Sequence, residues 1–170
     1  MTRAPVSVVS SAHLAAGSSP ALSEAEYGLL LAGHAFDRWI VRCMAAAGQP
    51  GLSPTDVLVL HTVHHRDRPK RLADIGLVLG IEDAHLVAYA VKKLAGLGLV
   101  TTARAGKEAV VTATETGQAL CARYAQVREA LLAETIAAGG PGAQGLSAAA
   151  GILRALAGAF DQAARAAATL

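Results

Sequence analysis

The stretch GIEDAHLVAYAVKKLAGLGLV, residues 80–100, constrains the fold more than any other part of the chain. At about 100° per residue, Val87, Ala90, Val91 and Leu94 fall on one side of a helix, the side that packs on neighbours. His85, Ala88, Tyr89 and Lys92 fall on the opposite side, with Glu82 nearby and Lys93 on the flank. Asp83 stands where a helix cap belongs, and the glycines of GLG supply the stop. A helix of this design can lay its polar side into a major groove. His and Tyr can bond base edges or phosphates, Ala can touch a thymine methyl, and Lys suits a guanine or a phosphate.

The flanking sequence predicts the companions such a helix needs. Upstream, Ser53 caps a helix carrying Val57, Leu58, Leu60 and Val63, RDRPKR ends it, and LADIGLVLG makes a short further helix. Three short helices in succession signal a helix-turn-helix. Downstream, LVTTARAGKEAVVTA places β-branched residues on either side of a small basic turn, as in a two-stranded hairpin, or wing. Thr114 then caps a helix in which Leu120, Tyr124, Val127 and Leu131 form a seam suited to packing on another helix.

The ends of the chain are helical in pattern as well. Ser23 with Glu26 resembles a capping box, and apolar positions run from there through Leu30, Ala35, Ile40 and Met44 to Gly48. A last helix runs from about Ser147 to Ala168, with Ile152, Leu153, Leu156 and Phe160 on one stripe and alanine almost everywhere else. Neither end is charged enough for a solvated rod, so both are expected to pack on each other or on a second subunit. Residues 1–20 are small, Ser-rich and aperiodic, and read as a flexible N-terminal arm. The expected division is 21–50 for an N-terminal dimerisation helix, 51–116 for the winged core and 117–170 for C-terminal dimerisation helices. The fold class is therefore mainly α with a small β-hairpin wing.

Composition narrows the function. Of the 170 residues, 53% are hydrophobic but only 4% aromatic, which favours closely packed helices. The net charge of +2 is modest, yet between Arg66 and Lys107 eight basic residues (Arg66, Arg68, Lys70, Arg71, Lys92, Lys93, Arg104, Lys107) face four acids (Asp67, Asp74, Glu82, Asp83). This basic middle suits a polyanion. No run of about 18 apolar residues suggests a membrane helix. Cys43 and Cys121 are far apart, without CxxC spacing, and lie in apolar helical surroundings where thiols are inert packing groups. With no leader-like N-terminus, the reading is a reduced, cytoplasmic protein.

LSPTDVLVLHTV, RLADIGLVLGI, AVKKLAGLGLV and VVTATETGQAL, in this order, resemble the MarR-like winged-helix transcription regulators over residues 23–135. KKLAGLGLV and VTATETG are the most specific pieces, similar to that family's L-x-x-x-G-L-V and L-T-x-x-G patterns. The resemblance implies homodimers built through the terminal helices that bind pseudo-palindromic double-stranded DNA and are released by a small ligand or by oxidation. Two features depart from the family. The wing segment ARAGKEA is short and lacks the usual Asp-Arg pair, leaving Arg104 and Lys107 as its cations. The recognition helix opens on Glu82 and Asp83 and has no outward Arg. The expected DNA contacts are Lys70, Arg71, His85, Ala88, Tyr89, Lys92, Lys93, Arg104 and Lys107. By the same resemblance a small-molecule effector lodges between the dimer helices and the winged core, with His34, Trp39, His61 and Tyr124 as lining residues.

Other chemistry finds less support. His61, His64 and His65 sit at i, i+3 and i+4, a spacing at which rings can converge on a metal, but no Cys or Glu joins them on that helix, and no metal or cofactor is assigned. AAGGPGAQG lacks the Lys-Ser/Thr and the preceding strand of a phosphate loop, and no nucleophile elbow, HExxH or Cys/His arrangement occurs, so no enzyme is expected. The expected function is a homodimeric, sequence-specific DNA-binding transcription regulator, a repressor responding to a small molecule. The alternative is a winged helix turned to protein contacts through Leu86, Ala88 and Tyr89.

Overall fold

The computed structural model describes residues 19–106 and 108–170. Its elements are α1 (Pro20–Ala46), α2 (Pro54–His64), β1 (Lys70–Arg71), α3 (Leu72–Leu79), α4 (Ala84–Gly96), β2 (Val100–Ala105), β3 (Glu108–Ala113), α5 (Glu115–Arg128), α6 (Glu134–Gly139) and α7 (Ala143–Ala167). The chain divides into two compact units, one ending at Tyr124 and the other running from Ala125 to Leu170.

In the first unit α2 is the centre, packing against α1, α3, α4 and β3. Its buried residues Val57, Val59, Leu60 and Val63 are spread around the helix rather than along one stripe, as a helix enclosed by neighbours requires. Ser53 caps it as expected, and the cap is reciprocal: Ser53 Oγ accepts from Asp56 N (3.2 Å) while Asp56 Oδ2 accepts from Ser53 N (2.7 Å). Ile75 of α3, the inner side of α4, Leu99, Val111, Leu120 and the last turns of α1 (Ile40, Cys43, Met44) complete the core.

β2 and β3 form the expected hairpin, paired from Val100↔Ala113 to Ala105↔Glu108. A third strand, not anticipated from the sequence, adds to it. Lys70 and Arg71 pair with Val111 and Val110, giving the order β1-β3-β2. The RDRPKR segment is therefore not simply a loop. Its end is pinned to the wing.

The junction into α5 shows what the TETG sequence does physically. Thr114 Oγ1 accepts from Gly117 N (3.1 Å) and donates to Gly98 O (2.7 Å). A Cβ on Gly117 would stand 2.1 Å from the Leu99 carbonyl oxygen, so only glycine lets α5 start this close to the turn after α4.

Three helix boundaries or seams differ from the sequence reading. α1 starts at Pro20 with Ser19 at its cap position, and Ser23 is buried inside the helix instead of capping it. Proline at the first position fixes φ and lacks the N–H that would go unsatisfied there, so it opens a helix without a capping side chain. Pro20 thus belongs to α1 rather than to the arm, and residues 1–18 lie outside the described residues. α7 starts at Ala143, four residues before Ser147, with Gly142 at the cap position. The α5 seam holds for Leu120 and Tyr124, both buried, but Leu131 is 57% exposed. A five-residue π turn, Glu129–Ala133, follows α5 and rotates the later residues off the stripe.

Two helices leave apolar surface uncovered. On α1 Leu22, Leu29, Leu30, Leu31 and Phe36 are exposed, and in the second unit no residue of α7 is buried.

Candidate DNA interface

α4 is set by its ends and its inner side. Asp83 Oδ1 accepts from His85 N (2.8 Å), so the acidic residue at the helix start is its cap, as expected. Val87, Ala90, Val91 and Leu94 are all buried. With that side committed, His85, Ala88, Tyr89 and Lys92 stand exposed, Tyr89 at 70%. Leu86, 53% exposed, lies beside them. The outer surface is thus mixed, with an imidazole, a phenol, an ammonium group and small apolar patches, and can offer both hydrogen bonds and methyl contacts to a groove.

The nine residues expected at DNA fall into two groups. His85, Ala88, Tyr89, Lys92 and Arg104 are exposed, while Lys107 lies outside the described residues. Lys70, Arg71 and Lys93 are engaged within the protein. Lys93 Nζ lies 2.7 Å from Asp56 Oδ2 and 2.8 Å from Gly51 O. Asp56 is 2% exposed, and a carboxylate so buried requires a charged partner. Lys93 therefore fastens the end of α4 to the start of α2. Lys70 Nζ donates to the carbonyls of Val63, His65 and Arg68, tying off the end of α2 and the turn after it. Arg71 grips Asp74 with two bonds (2.7 and 2.9 Å) and reaches Glu108 at 3.4 Å, joining β1, α3 and β3. These contacts hold the Asp74 carboxyl below its usual range and keep Arg71 charged. The contacts with Asp56, Asp74 and Glu108 depend on partners that helix periodicity does not reveal.

The turn carried by Lys70 is unusual. Arg66 and Asp67 both have left-handed backbone, φ 62° and 39°, which costs non-glycine residues about 1–3 kcal/mol each. Asp67 Oδ1 also accepts from Gln118 Nε2 (3.0 Å), so α5 helps hold the turn.

Of the expected effector residues, His61 and Tyr124 meet edge-on with ring centroids 4.4 Å apart. His34 is exposed and Trp39 half-buried. A cleft of about 840 Å³ opens beside α2, lined by His61 but not by His34, Trp39 or Tyr124. Burial, reinforced by His64, pushes the His61 pKa below its ordinary value. Cys43 Sγ donates to Tyr124 O at 3.6 Å, and burial raises the Cys121 thiol to about 11, so the latter is not activated. Among the described residues no three or more His, Cys, Asp or Glu gather as metal ligands, the three neighbouring histidines included.

Comparison with known proteins bears on this geometry. The family described as "Winged helix DNA-binding domain" matches residues 52–117, from just before α2 to the start of α5. The fold is that of a MarR-type winged helix. A MarR family regulator from Neisseria meningitidis is 23% identical with a TM-score of 0.65, over 84% of this chain and 95% of that one. The transcriptional repressor CouR bound to a 23-mer DNA duplex is 22% identical with a TM-score of 0.65, over 84% and 99%. CouR from Rhodococcus jostii bound to p-coumaroyl-CoA is 16% identical with a TM-score of 0.61, over 78% and 90%. No curated protein matches by sequence. The matched family is one of DNA-binding domains, and these neighbours share the winged-helix fold. No described helix is long and apolar enough to cross a membrane.

Proposed function

We propose that this protein is a homodimeric, sequence-specific transcription regulator of the cytoplasm, a repressor whose hold on double-stranded DNA is relieved by a small molecule. The observation that carries the proposal is α4, whose inner side is spent on the core while His85, Ala88, Tyr89 and Lys92 stand free on the outer side of a winged helix. In this reading α4 enters the major groove, and Arg104 and Lys107 of the wing attract the phosphate backbone. Lys70, Arg71 and Lys93 act chiefly by holding α3, the wing and α4 in place. Dimerisation through the terminal helices is supported by the uncovered leucines of α1 and by α7, which buries none of its residues.

A second reading, a winged helix turned to a protein partner, draws on the exposed Leu77, Val78, Leu86 and Tyr89 beside the acidic Glu82 and Asp83. Salt separates the two. Binding to the DNA upstream of its own gene, compared with a scrambled duplex at two salt concentrations, is expected to be sequence-selective and to weaken steeply with salt. Absence of DNA affinity at low salt would overturn the regulator reading in favour of the protein partner.

A further inference from the structure

The cleft beside α2 has a chemistry that DNA binding does not use. Its apolar wall comes from Leu58 of α2 and Val78 and Leu79 of α3, and its other wall from the strained turn and β1. Val78 is 70% exposed, an apolar side chain left to water at the cleft. Arg66 and Arg68 also line it. Unlike Arg71 in the same wall, which pairs with Asp74 and Glu108, they form no ion pair among the described residues. Burial is the main cause of the lowered Lys70 pKa, and Arg68 and Arg66 add to it while Asp67 opposes them. His61 also lines the cleft.

An apolar wall beside two guanidiniums without ion pairs suits an amphipathic anion. The cleft also lies within the roughly 300–1,000 Å³ typical of small-molecule sites. We infer that the cleft between α2, the Arg66–Arg68 turn and α3 binds a small organic anion. Its apolar body rests on Leu58, Val78 and Leu79, and its carboxylate, sulfonate or phosphate pairs with Arg66 and Arg68. A DNA phosphate could reach the arginines from outside, but it would leave the apolar wall uncovered. The inference deepens the effector part of the proposed function and rests on it for its regulatory meaning. It moves the site from the His34, Trp39 and Tyr124 set to the turn side of α2.

The test is run without DNA, so its failure and the failure of DNA binding are read separately. Two fluorescent probes are titrated into the full chain: 8-anilino-1-naphthalenesulfonate, and N-phenyl-1-naphthylamine, which has the same rings without the charge. The sulfonate is expected to bind saturably and at least about tenfold more tightly than the amine, as a charge-assisted contact provides. Arg66→Ala with Arg68→Ala is expected to erase that preference, and Val78→Trp, at an exposed position, to block both probes. Equal affinity for the two probes, or sulfonate binding unchanged in the arginine double variant, would overturn the inference. Should Val78→Trp fail to fold, the arginine variant decides alone.

Discussion

Helices α4 and α7 are both amphipathic, and they differ in what covers their apolar sides. In α4 Val87, Ala90, Val91 and Leu94 are all 5% exposed or less, covered by neighbours in the same unit. In α7 Ile152 is 62% and Leu153 48% exposed, and no residue of the helix is buried. Apolar burial is worth roughly 25 cal/mol per Å², so α4 draws its stability from within the chain. α7 leaves the same kind of surface unspent, which is the physical argument for a second subunit. An inner side that is fully committed is what leaves the outer side of α4 available for DNA.

Several changes would break or sharpen this contrast, and the largest effect is expected at α7. If the proposed dimer forms through α7, deleting residues 139–170, or placing Asp at both Ile152 and Leu153, should give monomers or insoluble protein, read by light scattering after size exclusion. An intact soluble dimer would place the interface elsewhere. Next, Lys93→Ala strands the buried Asp56 carboxylate and is expected to lower unfolding stability by about 3 kcal/mol in urea titration. A loss under about 0.5 kcal/mol, as for an ordinary surface change, would mean that Lys93 does not fasten α4. On the outer side of the same helix, Tyr89→Ala is expected to reduce specific DNA affinity about tenfold, a typical cost of one lost base contact, while the unfolding midpoint stays put.

The smallest expected effect is in pH. His61 titrates below its ordinary value in the folded chain, so the unfolded chain binds the extra proton first. Its contribution to stability is complete above the unfolded value of about 6.5 and is lost as pH falls through the lower folded value. His61→Phe should flatten that decline in denaturant midpoints measured between pH 7.5 and 5. An unchanged slope would assign the decline to other groups.

Local signals were the readable ones. Ser53, Asp83 and Thr114 lie within three residues of the amides they cap, and the stripe of α4 needs only helical periodicity. The third strand could not be read this way. Lys70 and Arg71 are two residues long as a strand, and only β3, some forty residues later, makes them one. The same distance hid the ion pair of Lys93 with Asp56. At Ser23 two local signals competed, and Pro20 opened the helix first. The effector residues were read from a family resemblance, whereas the cleft arises from a left-handed turn at Arg66 and Asp67, which carries no glycine to announce it.

The most direct test of the central claim is DNA binding by the double variant Tyr89→Ala, Lys92→Ala, measured beside its thermal unfolding. With the inner side of α4 intact, the midpoint should match the parent protein while specific binding to the upstream duplex is lost. Retention of specific, salt-sensitive binding in a folded double variant would contradict the claim that the outer side of α4 reads DNA.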